Sequence, residues 1–393
     1  MIFRKTYKLL SLLLGLLAYS CVDPYDYHTE EFEDVLVVQA TLTDEIKHQE
    51  IRLARSYRLE EDLPSPETGA NVFVSDDFQN EYYFSEVEPG VYRSFNDFAI
   101  QPERTYVLTV ETADGGSYNS EPARMISGNR IDRLYAERSS YQGNDGMALL
   151  VESRNPETAS KFYRYEYSET YKIVSPFRVS NNLVSEDGES YTIVPNKRDE
   201  TICYNTVPSN KIILSNTSGL RENTSGSFLV RFIDAEDPVL GQRYSILVRQ
   251  YSLTSAAYTY FSTLEKISGS ESIFSQNQPG FIQGNLFSVD DESEKVIGFF
   301  SLSSVSEERI FFNYTDFYTL AGNRPQFAQG CAIFRPGELI ITPVSMILQG
   351  NFRYVGMAGA PTSEGEGPMR LIANECVDCT VFGTNEVPEF WEE

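Results

Sequence analysis

The chain has 393 residues, of which 41% are hydrophobic and 13% aromatic, and it carries a formal net charge of −25. This length predicts two domains, and the apolar content excludes a disordered or fibrous chain. A charge of this sign and size repels phosphate backbones, which argues against nucleic acid as a partner.

The first 21 residues have the pattern of a lipoprotein signal. Three basic residues precede an apolar run over 9–18, and the small residue Ser20 stands directly before Cys21. At ~1.5 Å per residue the run covers about half of a ~30 Å hydrocarbon core, which excludes a membrane-spanning helix. We predict that residues 1–20 are removed as a signal peptide and that Cys21 is acylated and anchors the chain to a membrane outside the cytoplasm. A plain secretory signal with an incidental cysteine is the alternative.

Residues 21–33 are acidic, which predicts a solvated, disordered tether. Short strand patterns begin after it. About seven of them follow in residues 34–126 at roughly ten-residue spacing, separated by turn signals and without helical periodicity. We therefore predict an antiparallel β-sandwich of immunoglobulin-like type over 34–126. Clear examples of the strand patterns are 35–38, 72–74, 82–84 and 105–110.

Asp76 and Asp77 lie between two of these predicted strands. A pair of aspartates suggests calcium, but no Asp-x-Asp-x-Asp-Gly loop surrounds them. A β-turn in which the aspartate side chains bond the local backbone is the favoured interpretation. We assign no metal site to the chain.

Residues 123–130 have the composition of a linker, and strand patterns then continue to residue 320. They predict a second sandwich of immunoglobulin-like or fibronectin-like type over 131–320, which includes the pattern at 296–300. Aromatic residues alternate along 162–167, which favours a core face over a ligand platform. Residues 175–202 are polar and turn-rich, which predicts a long loop or protruding hairpin, where binding sites often lie.

One stretch changes its hydrophobic period to that of a helix. The pattern predicts a helix over about 253–268 with its apolar stripe packed on the second sandwich. Ser252 or Thr254 would cap this helix and Gly269 would end it. The recurring residues are Leu253, Ala257, Phe261 and Leu264.

Residues 321–393 are predicted to be irregular and constrained by cysteines. Apart from Cys21 there are four, an even number for an oxidising compartment, and we predict structural disulfides that tie the C-terminal tail, with Cys376 and Cys379, to Cys203 and Cys331. Three pairings are possible, and the sequence does not choose among them. A zinc site and a thioredoxin-like redox pair are disfavoured alternatives, because a second closely spaced pair and a strand–motif–helix context are missing. The disulfide candidates are Cys203, Cys331, Cys376 and Cys379.

The sequence contains no catalytic constellation. His28 and His48 are its two histidines, one in the tether and one at a strand edge, which argues against a histidine-based triad or metal site. A carboxylate pair of glycosidase type stays open as an alternative, since acidic residues are abundant. We predict a protein that is not an enzyme and needs no cofactor.

Taken together, stretches from almost the whole chain resemble a Bacteroidota lipoprotein family known as domain of unknown function 4249. Departures are small: Tyr204 stands where tryptophan is common, and a single Gly383 stands where a glycine pair is usual. The stretches that carry the resemblance are 37–44, 69–74, 165–171, 244–253, 278–279, 284–285, 296–301, 376–379, 383–385 and 388–391.

This resemblance implies an outer-membrane lipoprotein that accompanies a TonB-dependent receptor, and it carries over no catalytic residue. The acidic residues after Cys21 are similar to the export signal of surface-exposed lipoproteins. We therefore predict a non-enzymatic, surface-exposed outer-membrane lipoprotein, held by outer-membrane lipid, that acts as an accessory or ligand-capture partner of a TonB-dependent transporter. The alternatives are a free-standing adhesin or binding module, and an accessory subunit of an outer-membrane protein assembly complex.

Overall fold

The computed structural model describes residues 34–56, 65–127, 130–154, 160–185, 190–219, 225–268, 282–319, 324–337, 342–359 and 366–393. The predicted signal peptide, Cys21, the tether and Gly269 lie outside the described residues. Strands dominate the described ranges, and the predicted mainly β class is confirmed. No helix within these ranges has the length and hydrophobicity that a membrane crossing requires.

The described residues form 22 strands and three α-helices. The strands are β1 (Leu36–Thr43), β2 (Glu50–Arg55), β3 (Asn71–Asp76), β4 (Glu81–Glu88), β5 (Val91–Ser94), β6 (Thr105–Glu111), β7 (Ser117–Ser120), β8 (Ala123–Arg124), β9 (Arg133–Tyr141), β10 (Asn144–Arg154), β11 (Phe162–Val174), β12 (Asn181–Val184), β13 (Thr192–Pro195), β14 (Ile202–Pro208), β15 (Ile213–Asn216), β16 (Ser225–Asp234), β17 (Arg243–Leu253), β18 (Leu286–Ser288), β19 (Val296–Ser303), β20 (Val305–Asn313), β21 (Phe352–Met357) and β22 (Met369–Ala373). The helices are α1 (Ser255–Ser268), α2 (Tyr314–Phe317) and α3 (Pro343–Leu348).

Ten strands form the first sheet, which wraps around a single hydrophobic core. Its order is β18-β7-β6-β3-β4-β5-β2-β1-β19, with β8 on β6. In β1, Leu36, Val38, Ala40 and Leu42 are buried, because alternate side chains of a strand face the same side. The outward residues of β1 remain available to line other surfaces.

The structure differs here from the predicted division at residue 126. β18 and β19 belong to the first sheet, and β19 pairs in parallel with β1, from Leu36↔Val296 to Thr43↔Ser303. The pattern at 296–300 correctly identifies a strand, but the hydrophobic pattern of a strand does not identify the strand with which it pairs. The prediction placed it with its neighbours in sequence, which usually are neighbours in space. The two sandwiches are therefore interleaved along the chain rather than consecutive.

A single asparagine side chain closes the first sheet. Asn285 Nδ2 donates to Phe300 O at 2.9 Å, and Phe300 N donates to Asn285 Oδ1 at 2.8 Å. Next to it, a Cβ on Gly284 would lie only 1.5 Å from Gly298 O, so the close approach of the two segments requires glycine. Asn285 thus connects β19 to the β18 edge of the same sheet.

Asp76 forms the predicted turn between β3 and β4. Its Oδ1 accepts hydrogen bonds from Phe78 N and Asn80 N, both at 2.9 Å, and Arg104 donates to its Oδ2. Burial acts to raise the pKa of the Asp76 carboxyl, but the hydrogen bonds from Asn80 and Arg104 outweigh it and lower the pKa to about 2.

Two further sheets pack face to face and form the second sandwich. A three-stranded sheet, β16-β10-β9, covers the sheet β14-β11-β17-β20, with β15 also on β11. Tyr163 and Tyr165 of β11 are buried between the sheets together with Met147 and Tyr244. The alternation along 162–167 therefore marks a core face, as predicted.

The predicted helix is α1, and Thr254 is its cap, since Ala257 N donates to Thr254 Oγ1 at 3.1 Å. Its apolar stripe packs on the second sandwich as expected, for example through Phe162. It also contacts the first sandwich, because Tyr260 lies 5.3 Å from Phe299 of β19 between ring centroids.

The C-terminal region is more regular than predicted. β21 pairs with β22, and this hairpin packs against the β12–β13 hairpin, which is the predicted protrusion in 175–202. Arg353 Nη2 lies 2.6 Å from Glu200 Oε2, and both side chains are largely buried. The two distant segments thus build a third, smaller unit.

Two disulfides constrain this end of the chain. Cys203 pairs with Cys379, and Cys331 pairs with Cys376, with Cα–Cα distances of 5.6 and 5.7 Å. This selects one of the three possible pairings and leaves no free thiol for the zinc or redox alternatives among these four residues. Both bonds tie the tail segment with Cys376 and Cys379 to an earlier cysteine, as the sequence predicts.

The last residues pack on the second sandwich. Trp391 is the single tryptophan of the chain. Its ring lies 4.9 Å from Tyr204 of β14 and 5.6 Å from Phe311 of β20, both edge-on. Lys172 Nζ donates to both side-chain oxygens of Glu393 at 2.8 Å. The tail therefore contacts strands at both edges of the larger sheet.

Replacing Asn285 tests the closure of the first sheet. We expect Asn285→Ala to lower the free energy of unfolding by about 2–3 kcal/mol, because the backbone N–H and C=O of buried Phe300 lose their partners. Chemical denaturation measures this. Asn71→Ala is the control, since Asn71 bonds only the exposed Glu111 side chain and should change stability by less than about 0.5 kcal/mol. Equal effects of the two substitutions would contradict the closing role.

The lowered pKa of Asp76 makes its contribution to stability depend on pH. Its native pKa of about 2 lies below the unfolded value of about 3.9, so the contribution is present above about pH 4 and is lost as pH falls through about 2. We expect Asp76→Asn to cost about 2 kcal/mol at pH 7 and clearly less at pH 3. Urea denaturation at both pH values checks this. Asp77→Asn, in the same turn but exposed, is the control. If the stability lost in Asp76→Asn were the same at both pH values, the lowered pKa of Asp76 would be refuted.

Candidate functional site

Short polar contacts hold the junction between the two sandwiches. β19 of the first and β20 of the second are separated only by Ser304. Asp44 accepts hydrogen bonds from Ser304 Oγ at 2.7 Å and from Val305 N at 2.9 Å. On the other side, Ser304 N donates to Ser252 Oγ at 2.9 Å. The crossing point is therefore fixed from both sandwiches.

An ion pair strengthens this junction. Arg249 of β17 contacts the Glu45 carboxylate beyond the end of β1, and Lys47 donates to the same carboxylate at 2.7 Å. Burial acts to raise the pKa of Glu45, but Lys47 and Arg249 outweigh it and hold the pKa below its ordinary value. Glu45 therefore stays charged at neutral pH and holds both cations beside it.

A cleft of 600 Å³ lies between the outer face of the first sandwich and helix α1, and we call it the junction cleft. This volume and a position between domains are typical of small-molecule sites. One wall includes outward side chains of β1, β2 and β19 that do not enter the first core, such as Gln39, Arg52 and Ile297. The opposite wall comes from α1 and from β11 and β17 of the second sandwich. Its main side chains are Gln39, Thr41, Arg52, Arg164, Glu166, Ile212, Tyr251, Tyr260, Phe261 and Leu264.

A second cleft, of 700 Å³, lies on the other side of the contact between Tyr260 and Phe299. Three threonines, two alanines and one glycine are among its lining residues. The junction cleft has the denser set of aromatic and charged side chains. We therefore take it as the candidate functional site.

Arg164 is the central charged group of the junction cleft. Its guanidinium lies 4.8 Å from the ring centroids of both Tyr251 and Phe261. Its Nη2 is 3.1 Å from Glu166 Oε1, and Tyr251 Oη donates to Glu166 Oε2 at 2.9 Å. Two rings and a carboxylate hold the guanidinium in place, and such cation–π contacts stabilise a charge that has lost water.

Burial and the neighbouring Glu166 raise the pKa of Tyr251 far above its ordinary value. The phenol therefore remains protonated throughout the neutral range and keeps donating to Glu166. This makes Tyr251 a positioning group for Glu166 and, through it, for Arg164.

The sites that the sequence predicts lie elsewhere. The 175–202 segment belongs to the third unit and borders a separate groove of 440 Å³ rather than the junction cleft. Sequence reasoning did not single out Arg164. The signal was present, because the alternation that buries Tyr163 and Tyr165 places Arg164 on the opposite face of β11.

The described residues that line the junction cleft include no histidine and no cysteine. Across the described ranges, no group of three or more metal-binding side chains is close enough to hold an ion. What the cleft does offer is hydrogen-bonding side chains, paired charges and aromatic rings. This arrangement suits the binding of a polar ligand.

Replacing Asp44 tests the junction. We expect Asp44→Ala to lower the free energy of unfolding by about 2 kcal/mol, because Ser304 and Val305 lose a shared acceptor, one of them through a backbone N–H. Amide hydrogen exchange at Val305 should also become faster. Glu308→Ala on the exposed face of β20 is the control. If both substitutions changed the free energy of unfolding and the exchange at Val305 equally, the role of Asp44 at the junction would be contradicted.

Residues 22–309 match the family described as a domain of unknown function, DUF4249. The match spans both sandwiches and α1 and ends within β20, so the cysteine-containing tail, whose stretches at 376–379, 383–385 and 388–391 resemble the family, lies beyond it. No curated protein matches the chain. Because the match covers most of the sequence, the chain belongs to the DUF4249 family.

Proposed function

We propose that this protein is a lipid-anchored, surface-exposed outer-membrane protein that captures a ligand in the junction cleft and acts as accessory partner of a TonB-dependent transporter. It would bind its ligand without transforming it. The anchor would be an acyl chain on Cys21, and this part of the proposal rests on the sequence pattern.

The observation that carries the proposal is the junction cleft itself. Its walls come from two sandwiches that Asp44, Ser304 and the Glu45–Arg249 pair hold together. A cleft with fixed walls binds a ligand without losing conformational entropy to order those walls, which favours affinity. Paired charges and aromatic rings inside it supply directional polar contacts beside apolar surface.

A second feature supports docking to a partner protein. The three most exposed large hydrophobic side chains in the described residues are Ile46, Phe78 and Phe95, which are 80%, 69% and 62% exposed. We call them the apolar loop end, because each lies in a loop at the same end of the first sandwich. Exposed apolar surface of this kind marks interaction sites.

The acidic groups around the apolar loop end favour a protein partner over a lipid surface. Asp77, Glu81, Asp97 and Glu103 are exposed in the same loops or at the start of β4. They would repel anionic head groups and would complement a basic rim on a protein. The proposed occupant is therefore the extracellular face of the transporter.

Purification of the tagged full chain in mild detergent, followed by mass spectrometry, tests this. We expect a TonB-dependent outer-membrane protein in near-equal amount. The triple variant Ile46→Ser, Phe78→Ser and Phe95→Ser should reduce its recovery at least tenfold, since the apolar contacts are lost. Cys21→Ser should remove the chain from the membrane fraction.

The matched control is Val381→Ser with Val387→Ser, which removes two exposed valines far along the chain, 54% and 60% exposed. It should leave recovery of the transporter unchanged. Absence of any TonB-dependent protein with the wild-type chain would contradict the accessory role and favour a free-standing adhesin. Recovery of a barrel-assembly complex in its place would favour the assembly alternative.

A further inference from the structure

The hydrogen-bonding capacity of Arg164 is not used up inside the protein. A guanidinium has five N–H donors in a planar fork. Its Nε is buried and has no hydrogen-bond partner among the described residues, and Glu166 is the acidic group beside Nη2. One oxygen of Glu166 is already taken by Tyr251. The unpartnered N–H shows that the protein itself does not use every donor of this guanidinium.

The position of Arg164 fits such a role. Its side chain is 16% exposed, and it lines the junction cleft. The rings of Tyr251 and Phe261 both lie 4.8 Å from the guanidinium and restrict its movement. A planar fork that is fixed in this way matches the two oxygens of a carboxylate, and partial burial strengthens that interaction.

The other charges of the cleft do not oppose an anion. Lys47 and Arg52 also line it, beside the carboxylates Glu50 and Glu166, and Lys47 is paired with the carboxylate of Glu45. Arg52 Nη2 lies 2.7 Å from Glu50 Oε1, which neutralises that acid. Each of these carboxylates thus has a cationic partner, which limits their repulsion of an anion in a chain with a net charge of −25.

Apolar groups lie beside Arg164. Phe261 and Leu264 of α1 and Ile212 contribute to the same cleft. They offer surface to a ring, whereas Gln39 and Thr41 on the opposite wall offer hydrogen bonds. A volume of 600 Å³ accommodates one or two rings.

We propose that the junction cleft binds a ring-shaped ligand that bears a carboxylate, such as an acidic sugar or an aromatic acid, and that Arg164 is the residue that selects the carboxylate. This inference rests on the proposed ligand-capture function and adds the chemical class of the ligand.

Two matched pairs of probes test the class by titration calorimetry with the full chain: glucuronic acid against glucose, and benzoate against benzyl alcohol. Within at least one pair we expect the acid to bind at least tenfold more tightly than the neutral compound. Arg164→Gln should remove that preference, and Arg164→Lys should restore part of it, since lysine keeps the charge without the fork. Arg178→Gln, which removes the same charge from an exposed position on another unit, is the control and should leave the preference unchanged.

Leu264→Glu provides a second test that leaves Arg164 in place. A carboxylate on this wall of the cleft should weaken the acidic probe at least tenfold and the neutral probe little, while Leu264→Gln should affect both alike. Binding of acid and neutral probes with equal affinity would overturn the role of Arg164 and leave ligand capture standing. Failure of both acids to bind the wild-type chain would overturn the proposed ligand class, whatever the transporter experiment shows.

Discussion

The parallel pairing of β1 with β19 is the constraint on which the rest of the structure depends. It brings together residues about 260 positions apart, such as Asp44 and Ser304. It also completes the first sheet with a strand that follows most of the second sandwich in sequence. The first sandwich cannot complete its sheet until that later strand is available. A fragment ending at residue 126 would leave β1 with an unpaired edge, a known cause of aggregation. The two sandwiches are therefore parts of one folding unit.

This pairing also explains where the candidate site lies. Because β19 passes into β20 through one residue, the outer face of the first sandwich is held against the second sandwich, and α1 fills only part of the angle between them. The helix meets the first sandwich through Tyr260 and Phe299, and clefts remain on both sides of that contact. The junction cleft is thus a consequence of topology, and the outward side chains of strands that build the cores supply its polar and charged groups.

Local features of the structure could be predicted from the sequence, whereas long-range ones could not. Periodicity identified α1 and the buried tyrosines of β11, and the turn chemistry of aspartate identified the Asp76 turn, because each depends on residues within a few positions. The parallel partner of β1, the third unit around Arg353 and Glu200, and the disulfide pairing depend on contacts between distant segments, which alternation does not encode. Arg164 was overlooked for the same reason. The alternation along β11 places it on the face opposite to the buried tyrosines, but the helix and rings that surround it come from elsewhere in the chain.

The packing of Trp391 has a practical consequence. Trp391 is the only tryptophan of the protein. Tryptophan fluorescence therefore reports on one place only, where the tail packs against Tyr204 and Phe311. Tyr204 directly follows Cys203 of the Cys203–Cys379 bond, and Tyr204 and Phe311 belong to β14 and β20, the two edge strands of the larger sheet. The protein therefore carries an intrinsic optical label for the attachment of its own terminus, and loosening of that segment can be followed without adding a dye.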